Sequence, residues 1–421
     1  MNKNRRITRI AALVFACLFL FPQLAAAAHL DVMAWYGDDR YTRFTNILRE
    51  AAAAKMPGLT LEFMASAGRD KLITMVTGGA LPDVVAVHTT DTFPQVAELN
   101  AFAPIRITNP ELKAIPAELF AQWTRNGEIL AIPAVVELSN MCINLTLLEQ
   151  AGVAAPAWDW DWNDFFTIAK RLTRDDNGDG TPEVYGTSIW WTVEQMIVPW
   201  LNANGGSFMN SQYQGTQVTI DSEASIKAFE FLHSLIHESR VAFPGQGWNE
   251  WLQGKIGMNY MGSWSIGTAR TRVAGAFSWD YIPYPKSPTT GRRVARISQV
   301  GLAVSASTKN LVDATNFVQL VGTRSVQEQF LQGGLSAVPA RLDLTNSPYF
   351  HSPDVEPRSA RRTIMDNLSG GYTVPDTVYP NPQMGTIAKK YVARILQSGD
   401  NPRIALTQAA QEMRAVMNQS K

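Results

Sequence analysis

From residue 30 onward the apolar positions switch repeatedly between two periods. Leu30 to Trp35 reads as a strand closed by Gly37. From Arg40 to Lys55 the apolar residues Phe44, Ile47, Leu48, Ala51 and Ala52 return at helical spacing, and Pro57-Gly58 stops the run. Leu59 to Met64 alternates as a strand. Asp70 to Thr77 is a short helix with Leu72, Ile73 and Val76 inward, and Gly78-Gly79 closes it. Leu81 to Val87 is then almost wholly apolar. Strands that alternate with helices predict parallel βαβ units. Continuous apolar strands predict a sheet covered on both faces. Ligands of such sheets sit beyond the carboxyl ends of the strands, which here are Trp35, Tyr36, Ser66, His88, Thr89 and Thr90.

Further on, Ile129 to Pro133 and Asn140 to Leu145 read as two more strands. Asp161 to Leu172 is a helix whose Asp161 and Asp164 stand as a capping box. Ser222 to Ser239 is a helix with Phe229, Leu232, Leu235 and Ile236 inward. Ser325 to Leu331 opens on the box Ser325-Val326-Gln327-Glu328. Two helices close the chain, one with Met384, Ile387, Tyr391 and Ile395 on its apolar face, the last with Leu406, Ala410, Met413 and Met417. No internal repeat or low-complexity linker interrupts this, so separate lobes would be joined by several crossings of the chain.

The first residues change the cellular setting. Lys3, Arg5, Arg6 and Arg9 precede a short apolar run from Ile10 to Phe21, and Ala26-Ala27-Ala28 follows. That is the layout of a secretory signal peptide, and the run is shorter than the about 20 residues a spanning helix needs. Residues 1–28 are expected to be removed before His29 and the protein to work in the periplasm; the bulky Phe15 speaks against lipid attachment at Cys17. Losing four basic residues turns 37 basic and 37 acidic side chains into 33 and 37, a net charge of −4. This is no footprint for nucleic acid or an anionic membrane. Only Cys142 survives cleavage, so no intrachain disulfide forms, and the remaining length favours two lobes over one core.

Five segments, in this order, resemble the family 1 extracellular solute-binding proteins, the group with the maltose-binding type. They are Thr77-Gly78-Gly79-Ala80-Leu81-Pro82-Asp83-Val84-Val85; Ile129 to Pro133 leading to Glu137, Asn144 and Gln150-Ala151-Gly152-Val153; Trp160 to Phe165 with Ala169 to Thr173; Gly254 to Met258 followed by Gly262-Ser263-Trp264; and Gly301 to Ser305. The resemblance covers nearly the whole mature chain. It implies an α/β, two-lobed periplasmic-binding-protein fold with a hinge and an interlobe cleft. The lobes would be residues 29–137 with 299–343 and residues 138–298 with 344–421. The function implied is that of a monomeric receptor, not an enzyme, that captures a sugar or oligosaccharide and delivers it to the membrane permease subunits of an ABC importer.

In sugar-binding relatives the stretch Val135 to Asn140 holds an acidic ligand contact, which places Glu137 as an acceptor for sugar hydroxyls; a salt bridge across the hinge is the alternative role. Trp264 matches a Trp that stacks on the sugar ring, and Trp190 to Gln195 matches another contact stretch. The family's aromatic position near Ala388 is missing, which weakens maltose itself as the ligand. Chemically, a sugar needs a flat aromatic floor and a rim of donors and acceptors. Trp35, Tyr36, Trp191, Trp248 and Trp264 are candidates for the floor; Ser66, Thr90, Glu137, Asn140, Gln195 and Gln299 are candidates for the rim. A disaccharide of roughly 23 heavy atoms at about 0.3 kcal/mol each gives about 7 kcal/mol, close to micromolar binding. Trp158, Trp160 and Trp162 read as packing at a helix entry.

Other chemistries are less well supported. Asp175-Asp176-Asn177-Gly178-Asp179-Gly180, with Glu183 at the ninth position, resembles the start of a calcium loop, but position 12 is Gly186, and a surface turn is the alternative. His233 and His237 stand four apart without further ligands and read as a solvated face. Gly262-Ser263-Trp264-Ser265 lacks the glycines of a nucleophile elbow. The clusters Arg292, Arg293, Arg296 and Arg358, Arg361, Arg362 read as surface. An inward-facing Arg would favour a sugar acid or phosphorylated polyol as the ligand. Paired carboxylates at hydrolase spacing would favour a secreted glycoside-active enzyme.

Overall fold

A computed structural model of the chain describes residues 28–419 apart from 36–39, 91, 190–195, 213–214, 333–337, 346–356, 370–372 and 376. The signal-like segment, Tyr36, Trp191 and Gln195 therefore lie outside the described residues. None of the described helices is long and apolar enough to cross a membrane.

Twelve strands occur among the described residues: β1 His29–Met33, β2 Thr60–Met64, β3 Val84–His88, β4 Thr124–Arg125, β5 Glu128–Ile129, β6 Ala131–Asn144, β7 Tyr185–Ser188, β8 Ala242–Phe243, β9 Ile256–Gly262, β10 Trp279–Ile282, β11 Ala295–Val304 and β12 Thr373–Pro375. Ten of them form one sheet, in the order β2-β1-β3-β11-β6-β9-β7-β8, with β10 paired to β6 and β12 to β11. The βαβ reading of the first hundred residues holds: β1 runs parallel to both β2 and β3, and the helices Arg40–Lys55 and Arg69–Thr77 connect them. The molecule is α/β throughout.

The centre of the sheet departs from the sequence reading. Ile129–Pro133 and Asn140–Leu145 are not two strands. They are the ends of one strand, β6, which continues through Val135 to Ser139. Pro133, within β6, cannot donate to a ladder. It lies opposite Gly301, where the register with β11 shifts, and such an irregularity tolerates a missing donor. β6 and β11 are antiparallel for most of their length. At one end β11 pairs with β3; beyond Ser139, β6 pairs with β9 and β10. Among the described residues, these two long strands link the β3 part of the sheet to the β9 part.

The apolar interior divides accordingly. One cluster joins Met141 and Ile143 to Phe165, Trp200, Phe229 and the closing helices Pro382–Leu396 and Pro402–Gln419. Another collects Leu30, Phe44, Val84 and Phe330, then follows β6 and β11 across to Trp251, Trp279 and Tyr281. A third lies under β3 with Val85, Val87, Phe93 and Trp123.

Local signals behave as their chemistry dictates. Asp161 caps the helix Trp162–Leu172: its side chain accepts from the amides of Asn163 and Asp164, while Asp164 accepts from the Asp161 amide. Trp160 and Trp162 are buried, and Trp162 stacks on Phe231 at 4.6 Å, so both are packing residues. The helix of residues 324–332 begins one residue before the expected box, and Glu328 pairs with Arg324 instead. In the calcium-like loop Asp175 accepts from the amides of Gly178 and Gly180, and Glu183 from that of Asp176. Gly186, at its twelfth position, belongs to β7; a Cβ there would stand 1.9 Å from the Ala169 carbonyl oxygen, so glycine lets the strand lie against that helix.

Candidate functional site

The site follows from the parity of the sheet. Side chains directly opposite one another in an antiparallel pair share a face, and residues two apart along a strand stay on it. His88 pairs with Val300, Glu137 with Ser298, Ser139 with both Arg296 and Gly262, and Met141 with Tyr260. His88, Ser298, Arg296, Glu137, Ser139 and Tyr260 therefore form a polar row on one face of four adjacent strands, β3-β11-β6-β9, which passes from one half of the molecule to the other.

The hydrogen bonds run along this row. His88 Nε2 is 3.0 Å from Glu137 Oε2, and Ser298 Oγ donates to the same oxygen at 3.0 Å. The other ring nitrogen of His88 accepts from the Thr90 amide at 3.1 Å and contacts the Thr90 hydroxyl. Trp35, just beyond β1, stacks on the His88 ring with centroids 5.0 Å apart and planes 20° from parallel. Arg296 reaches Thr90 Oγ1 at 3.5 Å. Past the crossing, Ser139 Oγ and Tyr260 Oη are 2.7 Å apart, and the Leu138 amide donates to Ser263 Oγ at 3.1 Å.

Trp264 follows on the short helix Ser263–Ser265 at the end of β9, half-buried, with its ring 6.4 Å from that of Tyr260. The six-membered ring of Trp264 lies directly over Gly262, where a Cβ would stand 2.3 Å away. The small residue before Trp264 is thus what lets the indole lie flat on the strand end. Tyr260 also lines a small pocket with Met141, Ser188, Trp200 and the two residues that flank the Trp190–Gln195 stretch, Ile189 and Met196.

The electrostatics centre on Glu137. Burial opposes its ionisation, but the hydrogen bond and charge of His88, the charge of Arg296 and the Ser298 hydroxyl outweigh that cost and hold its carboxyl below the usual range. It is an anion fixed by donors on two neighbouring strands. His88, its close partner, stands on β3 in the same stretch of chain before residue 138, so this contact is not a salt bridge across the hinge, and the carboxylate lies in the polar row.

The structure brings Trp35, Thr90, Glu137 and Trp264 into one connected array. Ser66 is half-buried two residues beyond β2, among the same carboxyl ends. Two expected rim residues are placed elsewhere. Asn140 and Gln299 have the opposite parity to Glu137 and Ser298 and are fully buried. Asn140 Nδ2 donates to Tyr281 Oη and its Oδ1 accepts from Asn367; Gln299 accepts from Trp123 Nε1 and donates to the Leu119 carbonyl. These side chains serve the interior, because a one-residue step along a strand turns the side chain to the other face. Trp248 is half-buried and stacks on Trp251 at 5.7 Å, which ties it to the apolar interior.

Arg293 and Arg296 also differ from expectation: they are 6% and 4% exposed, not solvated. His233 and His237 are likewise half-buried, His233 with its Nε2 against the Gly399 carbonyl in the turn between the two closing helices and His237 with its Nε2 against the carbonyl of Leu396, the last residue of the first of them. Sequence reasoning missed Ser139, Tyr260, Ser263 and Ser298, and considered His88 only as a strand end. The signal that finds them is the period of two on β6 and β11, legible once both are known to be single long strands.

Comparison with known proteins agrees with this architecture. A curated arabinooligosaccharide-binding protein of Halalkalibacterium halodurans is 21% identical over 294 residues, 66% of this chain; the chain spans 63% of that protein's length. Among solved structures, an ABC substrate-binding protein of Listeria monocytogenes in complex with cycloalternan superposes with a TM-score of 0.80 at 20% identity, covering 93% of this chain and 99% of that one. The GacH receptor of Streptomyces glaucescens, solved unliganded and with acarbose, gives a TM-score of 0.76 at 17% identity over 93% and 99%. The fold is thus the two-lobed one of these binding proteins. The sequence model of the bacterial extracellular solute-binding proteins matches residues 39–328, more than half of the chain, and the protein belongs to that family of exported binding proteins.

Proposed function

We propose that this protein is the extracytoplasmic receptor of an ABC importer and that its solute is a neutral sugar or oligosaccharide. The observation that carries the reading is the row from Trp35 through His88, Glu137 and Ser139 to Tyr260 and Trp264, which sets aromatic faces at both ends of a line of hydroxyl, imidazole and carboxylate groups. Such a surface matches a ligand with apolar C–H faces and a rim of hydroxyls. The oligosaccharide named for the curated relative and the carbohydrates bound in the solved structures support the same class. We assign the lobes to residues 29–137 with 299–343 and 138–298 with 344–421, so that the division falls at the paired Glu137 and Ser298. A ligand touching both halves favours the closed form in proportion to its extra contacts there. The exported protein, trimmed of residues 1–28, works as a periplasmic monomer with the permease subunits.

The buried Arg296 gives a sugar acid or phosphorylated polyol a specific foothold. Arg296 faces the Glu137 carboxylate, however, and that internal balance favours an uncharged guest. Glycoside hydrolysis needs a carboxylic acid kept protonated to serve the leaving group. Glu137 is held in the opposite state and so does not serve as that acid. Calorimetry against a panel of neutral sugars, oligosaccharides, sugar acids and glycerophosphodiesters tests the reading. Micromolar binding of a neutral sugar with no release of monosaccharide is expected. Binding confined to the anionic compounds, or hydrolysis of an oligosaccharide, would overturn it.

A further inference from the structure

At the other end of the first strands, remote from this row, lies a second group of side chains. β1 and β2 are parallel, with His29 opposite Thr60 and Asp31 opposite Glu62. This parity puts His29, Asp31, Thr60 and Glu62 on one face, at the outer edge of the sheet, where β2 is the last strand. The Nε2 atom of His29 is 3.2 Å from Asp31 Oδ1 and 4.0 Å from Glu62 Oε2. One ligand atom from each of the three residues falls within 4.8 Å of the other two.

The ring is oriented from its other side. His29 Nδ1 is 3.0 Å from Thr60 Oγ1, an oxygen able to accept its proton. Nε2 is then the nitrogen left to face the carboxylates. A neutral imidazole presents a lone pair there, beside two anionic oxygens, and a divalent cation satisfies all three at once. Zinc ligands at 2.0–2.2 Å in a tetrahedron stand about 3.4 Å apart. The observed separations bracket that value, so small side-chain rotations close the set. One imidazole and two carboxylates suit zinc-like ions, and the half-open setting, with side chains 51%, 48% and 74% exposed, leaves a fourth position for water.

We propose that His29, Asp31 and Glu62 form a binding site for a zinc-like divalent transition-metal ion that clamps the edge strand β2 to β1. Trp35 lies six positions on from His29, about 20 Å at strand rise, so the clamp is separate from the solute site. The test is calorimetric titration of the purified exported chain with Zn2+ alone in a buffer that does not chelate it. One site is expected in the wild type. His29→Ala, Asp31→Asn and Glu62→Gln are each expected to weaken it at least tenfold, while a His233→Ala/His237→Ala variant binds as the wild type does. Circular dichroism and sugar affinity, both unchanged, show that the variants remain folded. Zn2+ affinity that survives His29→Ala, or a wild type that takes up no Zn2+ below about millimolar, overturns the proposal.

Discussion

Removal of the Glu137 carboxylate tests the central cluster most directly. Its side chain is 12% exposed and that of His88 is 9%. In Glu137→Ala, His88 Nε2 and Ser298 Oγ lose the acceptor they share, and the buried Arg296 loses a facing charge. Each orphaned donor costs about 1–3 kcal/mol, and breaking a buried ion pair by deleting one partner costs about 3–5 kcal/mol. The expected loss in urea unfolding, followed by tryptophan fluorescence at pH 7, is therefore about 3–5 kcal/mol. Because much of that is the penalty on His88, Glu137→Ala/His88→Ala should cost less than the two single changes together, by about 1–3 kcal/mol. The pH dependence has a fixed sign. The folded carboxyl titrates below its unfolded value, so its contribution is complete above about pH 4.3 and is lost as the pH falls through the folded pKa. Wild type and variant should therefore converge in stability at acid pH. A loss under about 1 kcal/mol, an additive cycle, or a gap that does not narrow as the pH falls below about 4 would refute the reasoning.

Three further outcomes follow from single contacts. Trp264→Ala removes a half-buried ring assigned here to the sugar; about 100 Å² of covered apolar surface at about 25 cal/mol per Å² is about 2.5 kcal/mol, or about 70-fold in affinity by calorimetry, with the melting temperature nearly unchanged. Gly262→Ala puts a methyl 2.3 Å from that ring and should cost about 1–3 kcal/mol in unfolding while also weakening the sugar. Asp161→Ala loses the two amide hydrogen bonds that the Asp161 side chain accepts and should cost about 1 kcal/mol in urea, with ligand affinity unchanged.

The sequence by itself determined much of this protein. The periods of Leu30 to Val87 specified the parallel βαβ start, Asp161 and Asp164 specified a helix entry, and the five family segments pointed to the two-lobed class. Trp35 and Thr90 were candidates because each stands at a strand end, and Glu137 and Trp264 because each matches a contact position of the family segments. These are local properties, set by propensity and period over a few residues. The tertiary structure decided the rest. It joined two apparent strands into β6, and that continuity fixed which side of the sheet each residue takes. Glu137, Ser139 and Ser298 thereby face the polar row, while Asn140 and Gln299, one step away, point into the interior. It also drew Arg293 and Arg296 out of what looked like a surface run. Parity along a strand is readable from sequence only when its length and partners are known, and those follow from long-range pairing across more than a hundred residues.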